Sequence, residues 1–134
     1  MIKLATASLL LLAAVFGARA DEPAAYIVSP ADGATLKNPV TVVFGLRNPW
    51  GVAPAGTQVE HTGHHHLLID TPVPGDLTQP IPKDDQHRHF GGGQTETTLT
   101  LSPGKHTLQL LLGDFAHVPH QPPVMSKPVT ITVE

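Results

Sequence analysis

The chain has 134 residues, of which 40% are hydrophobic and 14% are charged, with a formal net charge of −3 at pH 7 and no cysteine. This length predicts one ordinary domain, and the absence of cysteine excludes disulfide scaffolds, thiolate zinc sites, iron–sulfur clusters and a cysteine nucleophile. Among the side chains that carry chemistry, histidine stands out with nine copies.

The first twenty residues have the pattern of a secretory signal peptide. Lys3 precedes an apolar stretch from Leu4 to Phe16, and Ala18-Arg19-Ala20 places small residues at both positions that determine cleavage. The stretch is shorter than the ~20 apolar residues that a membrane-spanning helix needs. We therefore predict a signal peptide at residues 1–20, a mature domain at residues 21–134, no integral membrane segment after cleavage, and a periplasmic or secreted location.

The charge of the mature chain argues against a nucleic-acid partner. Cleavage removes Lys3 and Arg19, which leaves six Lys and Arg against eleven Asp and Glu, a formal charge of −5. Proteins that bind a phosphate backbone need an excess of cations at the contact. We expect no nucleic-acid partner.

Six short apolar segments predict β-strands, at residues 26–29, 40–46, 64–70, 94–101, 106–112 and 129–134. In the second, the apolar side chains at alternate positions from Val40 to Leu46 fall on one face, as the period of a strand requires. Ser102-Pro-Gly-Lys105 is a tight connection, which predicts that the fourth and fifth strands pair as a hairpin. No segment has a helical repeat over ten or more residues.

Six or seven short strands separated by turn signals favour an all-β fold, an antiparallel immunoglobulin-like β-sandwich. The alternative is a small cupin-like barrel. We expect the seventh strand, an irregular one, within residues 77–82, and a long ordered loop over residues 71–86. Each strand of the sandwich reverses the direction of the one before it, so alternate connections share a pole.

Eight of the nine histidines fall where this topology brings them to one pole. They are His61, His64, His65, His66, His87, His89, His117 and His120. Within this set, His65 is in phase with Leu67 and Ile69, so we expect it to be a hydrogen-bonded interior side chain. Only His106 belongs to the other pole, where we expect a corner side chain that hydrogen-bonds to the backbone.

The spacing of these histidines predicts a metal site. Two histidines at i and i+2 on a strand point to the same side about 6.5–7 Å apart, close enough to share one ion, and His64-x-His66 has this spacing. Neighbouring loops supply further imidazoles. The candidate ligands of Cu(II) or Zn(II) are His64, His66, His89, His117 and His120. A buried polar network is the competing explanation, and Asp114 either orients an imidazole or caps a turn.

Several segments together resemble one protein family. They are Gly51-Val-Ala-Pro-Ala-Gly56, Thr62-Gly-His-His-His-Leu-Leu-Ile-Asp70, His89-Phe-Gly-Gly-Gly-Gln-Thr-Glu96, Pro103-Gly-Lys-His-Thr-Leu108, and Leu112-Gly-Asp114 with His117-Val-Pro-His120 and Pro122-Pro-Val124. Through them most of the mature chain resembles the exported bacterial proteins grouped as domain of unknown function 4399. The resemblance implies a periplasmic or secreted bacterial location and no particular activity.

A looser resemblance is to periplasmic copper-binding sandwiches of the CopC type. It consists of the Pro30-x-x-Gly33 turn and the Pro-Gly-Lys-His106 segment. Those proteins bind copper through the mature N-terminal histidine, whereas this mature chain is expected to begin Asp21-Glu22-Pro23. The departure disfavours an amino-terminal copper site.

Three functions remain open. The leading hypothesis is a non-enzymatic metal-binding protein for storage, delivery or sensing, with the metal ion as its predicted partner. The second is a metalloenzyme on a cupin-like barrel, in which His64-x-His66-x-x-x-Asp70 supplies two histidines and a carboxylate. The third is a structural module whose histidines form a hydrogen-bonded network. After cleavage Met125 is the only methionine, which disfavours a methionine-rich Cu(I) site.

Overall fold

The computed structural model describes residues 22–134, and the predicted signal peptide lies outside them. This part of the chain contains nine strands, β1 (Ala25–Ser29), β2 (Thr35–Leu36), β3 (Val40–Leu46), β4 (Gly51–Val52), β5 (Thr62–Ile69), β6 (His87–His89), β7 (Glu96–Leu99), β8 (Gly104–Gly113) and β9 (Val129–Val133). Within the same residues we find no helix that could span a membrane.

The strands form two sheets. The smaller has the antiparallel order β1-β3-β7, and the larger has the order β2-β9-β8-β5-β4, with β6 also paired to β5. In the larger sheet β2 runs parallel to β9 and β4 parallel to β5, while β5, β6, β8 and β9 pair antiparallel. The prediction of an all-β fold is confirmed. The cupin-like alternative is wrong, because the two sheets do not join into a closed barrel.

One apolar core lies between the two sheets. The alternating pattern from Val40 to Leu46 places Val40, Val42 and Phe44 in it, as predicted. The larger sheet contributes apolar residues from three strands, Leu67, Ile69, Leu108, Leu110, Leu112, Ile131 and Val133. Each fully buried Leu or Val contributes about 1.5–3 kcal/mol relative to an exposed position. The core fixes which face of β5 and β8 turns inward.

One prediction of strand pairing is wrong. The fourth and fifth predicted strands do not form a hairpin, because β7 pairs with β3 while β8 pairs with β5 and β9. Alternating apolar residues show which face of a strand is buried. Strands of both sheets have this alternation, so it does not show which strand pairs with which. The tight connection at Ser102–Lys105 therefore crosses from one sheet to the other.

No strand forms within residues 77–82. Pro80 and Pro82 lack backbone donors, which prevents regular pairing there. Ile81, between them, packs instead on Leu68 and Leu111 in a second apolar cluster, with Val73, Leu77 and Met125 around it. Residues 71–86 thus form the predicted long loop, and the loop covers the outer face of the larger sheet.

The loop makes β5 a strand that is buried on both faces. Leu67 and Ile69 belong to the main core, whereas Leu68 belongs to the outer cluster. Because side chains alternate along a strand, His65 shares the inner face with Leu67, and His64 and His66 share the outer face with Leu68. The outer face is where four of the nine histidines meet.

Candidate metal centre

Strand geometry places three imidazoles side by side on the outer face of the larger sheet. His64 and His66 are two residues apart on β5, and their ring centroids are 4.8 Å apart. His89 on β6 is the direct cross-strand neighbour of His66, with 5.1 Å between the ring centroids. Residues that face each other on adjacent antiparallel strands have Cβ atoms about 5 Å apart, so this register brings the rings into contact.

His117 comes from the turn that follows β8. Its φ is +66°, a left-handed conformation that is uncommon outside glycine. The turn is held by Asp114, whose Oδ1 accepts the N–H groups of Ala116 at 2.8 Å and Val118 at 2.9 Å. The carbonyl of His117 accepts the N–H of Ile81 at 2.8 Å. Asp114 therefore caps this turn, the second of the two roles expected for it, and fixes the backbone that carries His117.

The four imidazoles form a compact group. His64, His66, His89 and His117 each offer one ring nitrogen, and these four nitrogens all lie within 4.8 Å of one another. In a tetrahedral zinc site the metal–nitrogen bonds of about 2.0–2.1 Å set the nitrogens about 3.4 Å apart. The four nitrogens are therefore close enough together to surround one ion, although the widest separation in the group exceeds that spacing.

Few of the ring nitrogens in this group have a protein partner. Nε2 of His64 and Nδ1 of His117 share a hydrogen bond of 3.0 Å. Buried nitrogens without a hydrogen bond are Nδ1 of His64, Nδ1 of His66 and Nε2 of His89. Buried polar atoms are nearly always paired, so three unpaired nitrogens at one place indicate a missing partner.

Burial and mutual repulsion favour the neutral form of three of these imidazoles. Burial first, and then the neighbouring rings of His117 and His89, lower the pKa of His64 to about 4. Burial and then His64 lower the pKa of His66 to about 3. The pKa of His89 is lowered as well, by burial, by His117 and by the charge of Lys83. At neutral pH these side chains hold the lone pairs that a metal ligand requires.

Two glycines make room for the rings. A Cβ atom at Gly113 would lie 2.7 Å from Cε1 of His66, and one at Gly91 would lie 2.8 Å from Nε2 of His89. Either contact is too short for a real side chain. Gly91 thus has a specific role, because the absence of a Cβ atom lets the backbone pass against the imidazole of His89.

His120, the fifth predicted ligand, is not in this group. Its Nε2 lies 3.1 Å from the carbonyl oxygen of Thr62. Its ring packs edge-on against Trp50, with 4.6 Å between the centroids. The structure therefore brings together four of the five predicted ligands, and the fifth, His120, packs against Trp50 instead.

Two further histidines of the predicted pole also lie outside the group. His61 is exposed and packs on the ring of Trp50, with 5.4 Å between the centroids. Nδ1 of His87 lies 2.8 Å from Oδ1 of Asp84.

His65 faces the main core, as predicted, but it is not hydrogen-bonded. Both ring nitrogens are buried without a partner, and the ring packs against Phe44 with 5.1 Å between the centroids. Burial first, and then His64, lower the pKa of His65 to about 4. The expectation of a satisfied interior histidine is wrong, because the side chains across the core here are apolar.

His106 forms the predicted corner at a distance from the four histidines. Its Nδ1 donates to Oδ2 of Asp70 at 2.6 Å, and its Nε2 donates to the carbonyl of Ser102 at 2.7 Å. The bond to Asp70, and then the bond to the Ser102 carbonyl, raise the pKa of His106. Both carboxylate oxygens of Asp70 accept hydrogen bonds at this corner, from His106 and from the N–H of Thr107. The group of four histidines contains no carboxylate.

A cleft of about 190 Å³ opens beside the group, lined by His66, His89, His117, Pro80, Ile81 and Lys83. The last three belong to the loop 71–86. No spacing or motif in the sequence marks them, because the loop reaches the site only after Ile81 packs on the outer face of the sheet.

A family profile described as Domain of unknown function (DUF4399) matches residues 42–134. The four clustered histidines all lie inside the matched segment. No curated protein and no solved structure matches the chain.

Proposed function

Since the chain belongs to the DUF4399 family, whose description names no activity, we propose from the site itself that the protein binds one Cu(II) or Zn(II) ion through His64, His66, His89 and His117. The supporting observation is four imidazole nitrogens within 4.8 Å of one another, in a group with three buried ring nitrogens that lack a hydrogen bond. A single metal ion would give one nitrogen of each of the four rings a partner.

The donor set supports these two metals. Imidazole nitrogen is an intermediate ligand that suits zinc and copper, whereas calcium and magnesium prefer oxygen. Four neutral imidazoles suit tetrahedral Zn(II) or tetragonal Cu(II), and Cu(II) ranks above Zn(II) in intrinsic affinity at such a site. We propose a binding role, in storage, delivery or sensing, for the metal held there.

The two rival functions have less support. A structural network would pair its buried nitrogens, yet the four rings share one hydrogen bond, between His64 and His117. A cupin-type metalloenzyme would need Asp70 beside the metal, and this carboxylate is hydrogen-bonded to His106 instead.

The proposal extends to the fold. We propose that residues 21–134 form one immunoglobulin-like sandwich. Its three-stranded sheet would be β1, β3 and β7, and its facing sheet would be built on β9, β8 and β5. These two orders, together with the shared core, support that topology.

We also propose that residues 1–20 are a signal peptide and that the mature protein is periplasmic or secreted. The support is the order of Lys3, the apolar stretch and Ala18-Arg19-Ala20. When the full chain is expressed in a Gram-negative host, the protein recovered from the periplasm is expected to have the mass of a chain that begins at Asp21. Accumulation of the uncleaved chain in the cytoplasm would contradict this expectation.

Metal content is the direct test of the proposed site. Untagged protein, freed of metal and then incubated with Cu(II) or Zn(II) near neutral pH, is expected to retain one ion per chain by plasma mass spectrometry. His66→Ala or His117→Ala is expected to weaken binding by more than about 10–100-fold, which is the cost of losing a side chain that only hydrogen-bonds to a metal ligand. His64→Ala/His117→Ala should abolish retention. Unchanged retention in this double variant would refute the site.

Other histidines supply the matched controls. His61→Ala removes an exposed imidazole and should leave both stability and metal content unchanged. His106→Ala should keep the metal but lower the free energy of unfolding by about 1–3 kcal/mol, because it leaves the Asp70 and Ser102 acceptors without their donor. His120→Ala should also keep the metal, because its ring is outside the group of four.

A further inference from the structure

The four histidines are not equally exposed. His64 and His66 are 0% and 1% exposed, whereas His89 and His117 are partly exposed. Three of the four, His66, His89 and His117, line the 190 Å³ cleft, and His64 lies behind them. An ion held by the four rings would therefore be closed off on the β5 side and open on the cleft side.

The opposite wall of the cleft is apolar and fixed in place. Pro80 and Ile81 form it, and the side chain of Ile81 is anchored among Leu68 and Leu111. The N–H of Ile81 also donates to the carbonyl of His117, which ties the loop 71–86 to the turn that carries this histidine. A rigid apolar wall lowers the local dielectric constant, so charges inside the cleft interact more strongly than they would in water.

Lys83 is the one side chain with a permanent charge in the lining of this cleft. Its side chain lines the same cleft as the ring of His89. Although Asp84 and Asp85 follow it in sequence, Lys83 forms no ion pair within residues 22–134. Its positive charge is therefore available to a ligand in the cleft.

We propose that the cleft of the Cu(II)-loaded protein binds a small free anion of the size of a monocarboxylate, which coordinates the copper on its open side, in addition to the four imidazoles, and pairs with Lys83. The inference rests on the proposed metal site. A divalent ion held by neutral imidazoles keeps its full charge, and Lys83 adds a second cation on the same side of the ligand.

The volume limits the size of the anion. A water molecule occupies about 30 Å³ in the liquid, so the cleft holds about six waters or one anion of a few heavy atoms. Pockets for larger organic ligands span about 300–1,000 Å³. The apolar wall of Pro80 and Ile81 suits a short hydrocarbon group attached to the anion.

The test titrates the Cu(II)-loaded protein with azide and with acetate, followed by the visible and electron paramagnetic resonance spectra of the copper. Both anions are expected to change the spectra in a saturable way, and acetamide, a neutral molecule of the shape of acetate, is expected to leave them unchanged. Lys83→Gln should weaken both anions about tenfold without changing the Cu(II) content, and Lys83→Arg should restore most of the affinity. Lys105→Gln, which removes an exposed lysine outside the cleft lining, should bind the anions as the wild type does.

The outcomes separate this inference from the function on which it rests. If Cu(II) binds but azide and acetate leave its spectra unchanged, the anion site is refuted and the metal site stands. Equal anion affinity in Lys83→Gln and Lys105→Gln would refute the role of Lys83. A protein that retains no Cu(II) would overturn both proposals.

Discussion

Metal-free protein is expected to lose stability steeply as the pH falls from about 6.5 toward 4. Histidines in an unfolded chain have a pKa near 6.5, whereas in the fold the pKa is lowered to about 4 for His64 and His65 and to about 3 for His66. Between these values the unfolded chain binds more protons than the folded one. The contribution of these groups is thus fully present above about pH 6.5 and decreases as the pH falls.

The expected size of the effect is large. One pKa unit corresponds to 1.36 kcal/mol. The pKa of His65 is lowered from 6.5 to about 4, so at a pH below about 4 this group alone reduces the free energy of unfolding by about 3 kcal/mol. This is a large fraction of the total stability of an ordinary domain, about 5–15 kcal/mol, and the lowered pKa values of His64 and His66 act in the same direction. The pKa of His106 is raised, so its contribution has the opposite sign: it is present below about pH 6.5 and is lost as the pH rises through the folded value. As the pH falls, His106 therefore acts against the loss.

Urea denaturation at a series of pH values, followed by circular dichroism, measures the effect. Zn(II) at 100 times its dissociation constant should add about 2.7 kcal/mol at pH ~7.5, and this gain should fade near pH ~6.5 as protons compete for the same nitrogens. His61→Ala is the control, because it removes a histidine that is exposed in the fold. Equal stability of the metal-free protein at pH ~7.5 and ~4.5 would contradict the burial of neutral imidazoles on β5.

The sequence contained the local part of this fold but not the pairing of its strands. Alternation from Val40 to Leu46 identified a buried face, because a strand with one apolar face has one stable orientation against a core. It could not show that β7 pairs with β3 and β8 with β5, since the same alternation fits either partner. Those pairings depend on which faces fit together over the whole core.

The candidate site also has a part that the sequence predicted and a part that it did not. His64-x-His66 was predictable, because a period of two puts both side chains on one face of a strand. His117 and His120 were equivalent in the sequence, and their difference comes from the left-handed backbone of His117 and the turn capped by Asp114. No sequence pattern marked Lys83 as a site residue, because its place at the cleft depends on the packing of Ile81, two residues earlier, against Leu68 and Leu111.

Replacement of His65 by leucine is expected to stabilise the protein and to leave the metal site intact. Both ring nitrogens of His65 are buried without a partner, in contact with Phe44 and the main core. An unpaired buried polar group costs about 1–3 kcal/mol, and leucine has a similar volume without that cost. His65→Leu should therefore raise the free energy of unfolding by about 2 kcal/mol at pH ~7.5. The gain should grow below pH ~6.5, because the variant has one fewer site at which only the unfolded chain takes up a proton.

The neighbouring residue on β5 provides the matched control for this last prediction. His66→Leu makes the same chemical change one position further along, where the side chain faces His64 and His89 instead of the core. It should lose the metal ion, whereas His65→Leu should retain one ion per chain with unchanged affinity. Urea denaturation and metal analysis of the two variants thus separate the two faces of one strand. If His65→Leu also lost the metal, or if it destabilised the fold at both pH values, then His65 would have a polar partner or a ligand role that contradicts its position in the apolar core.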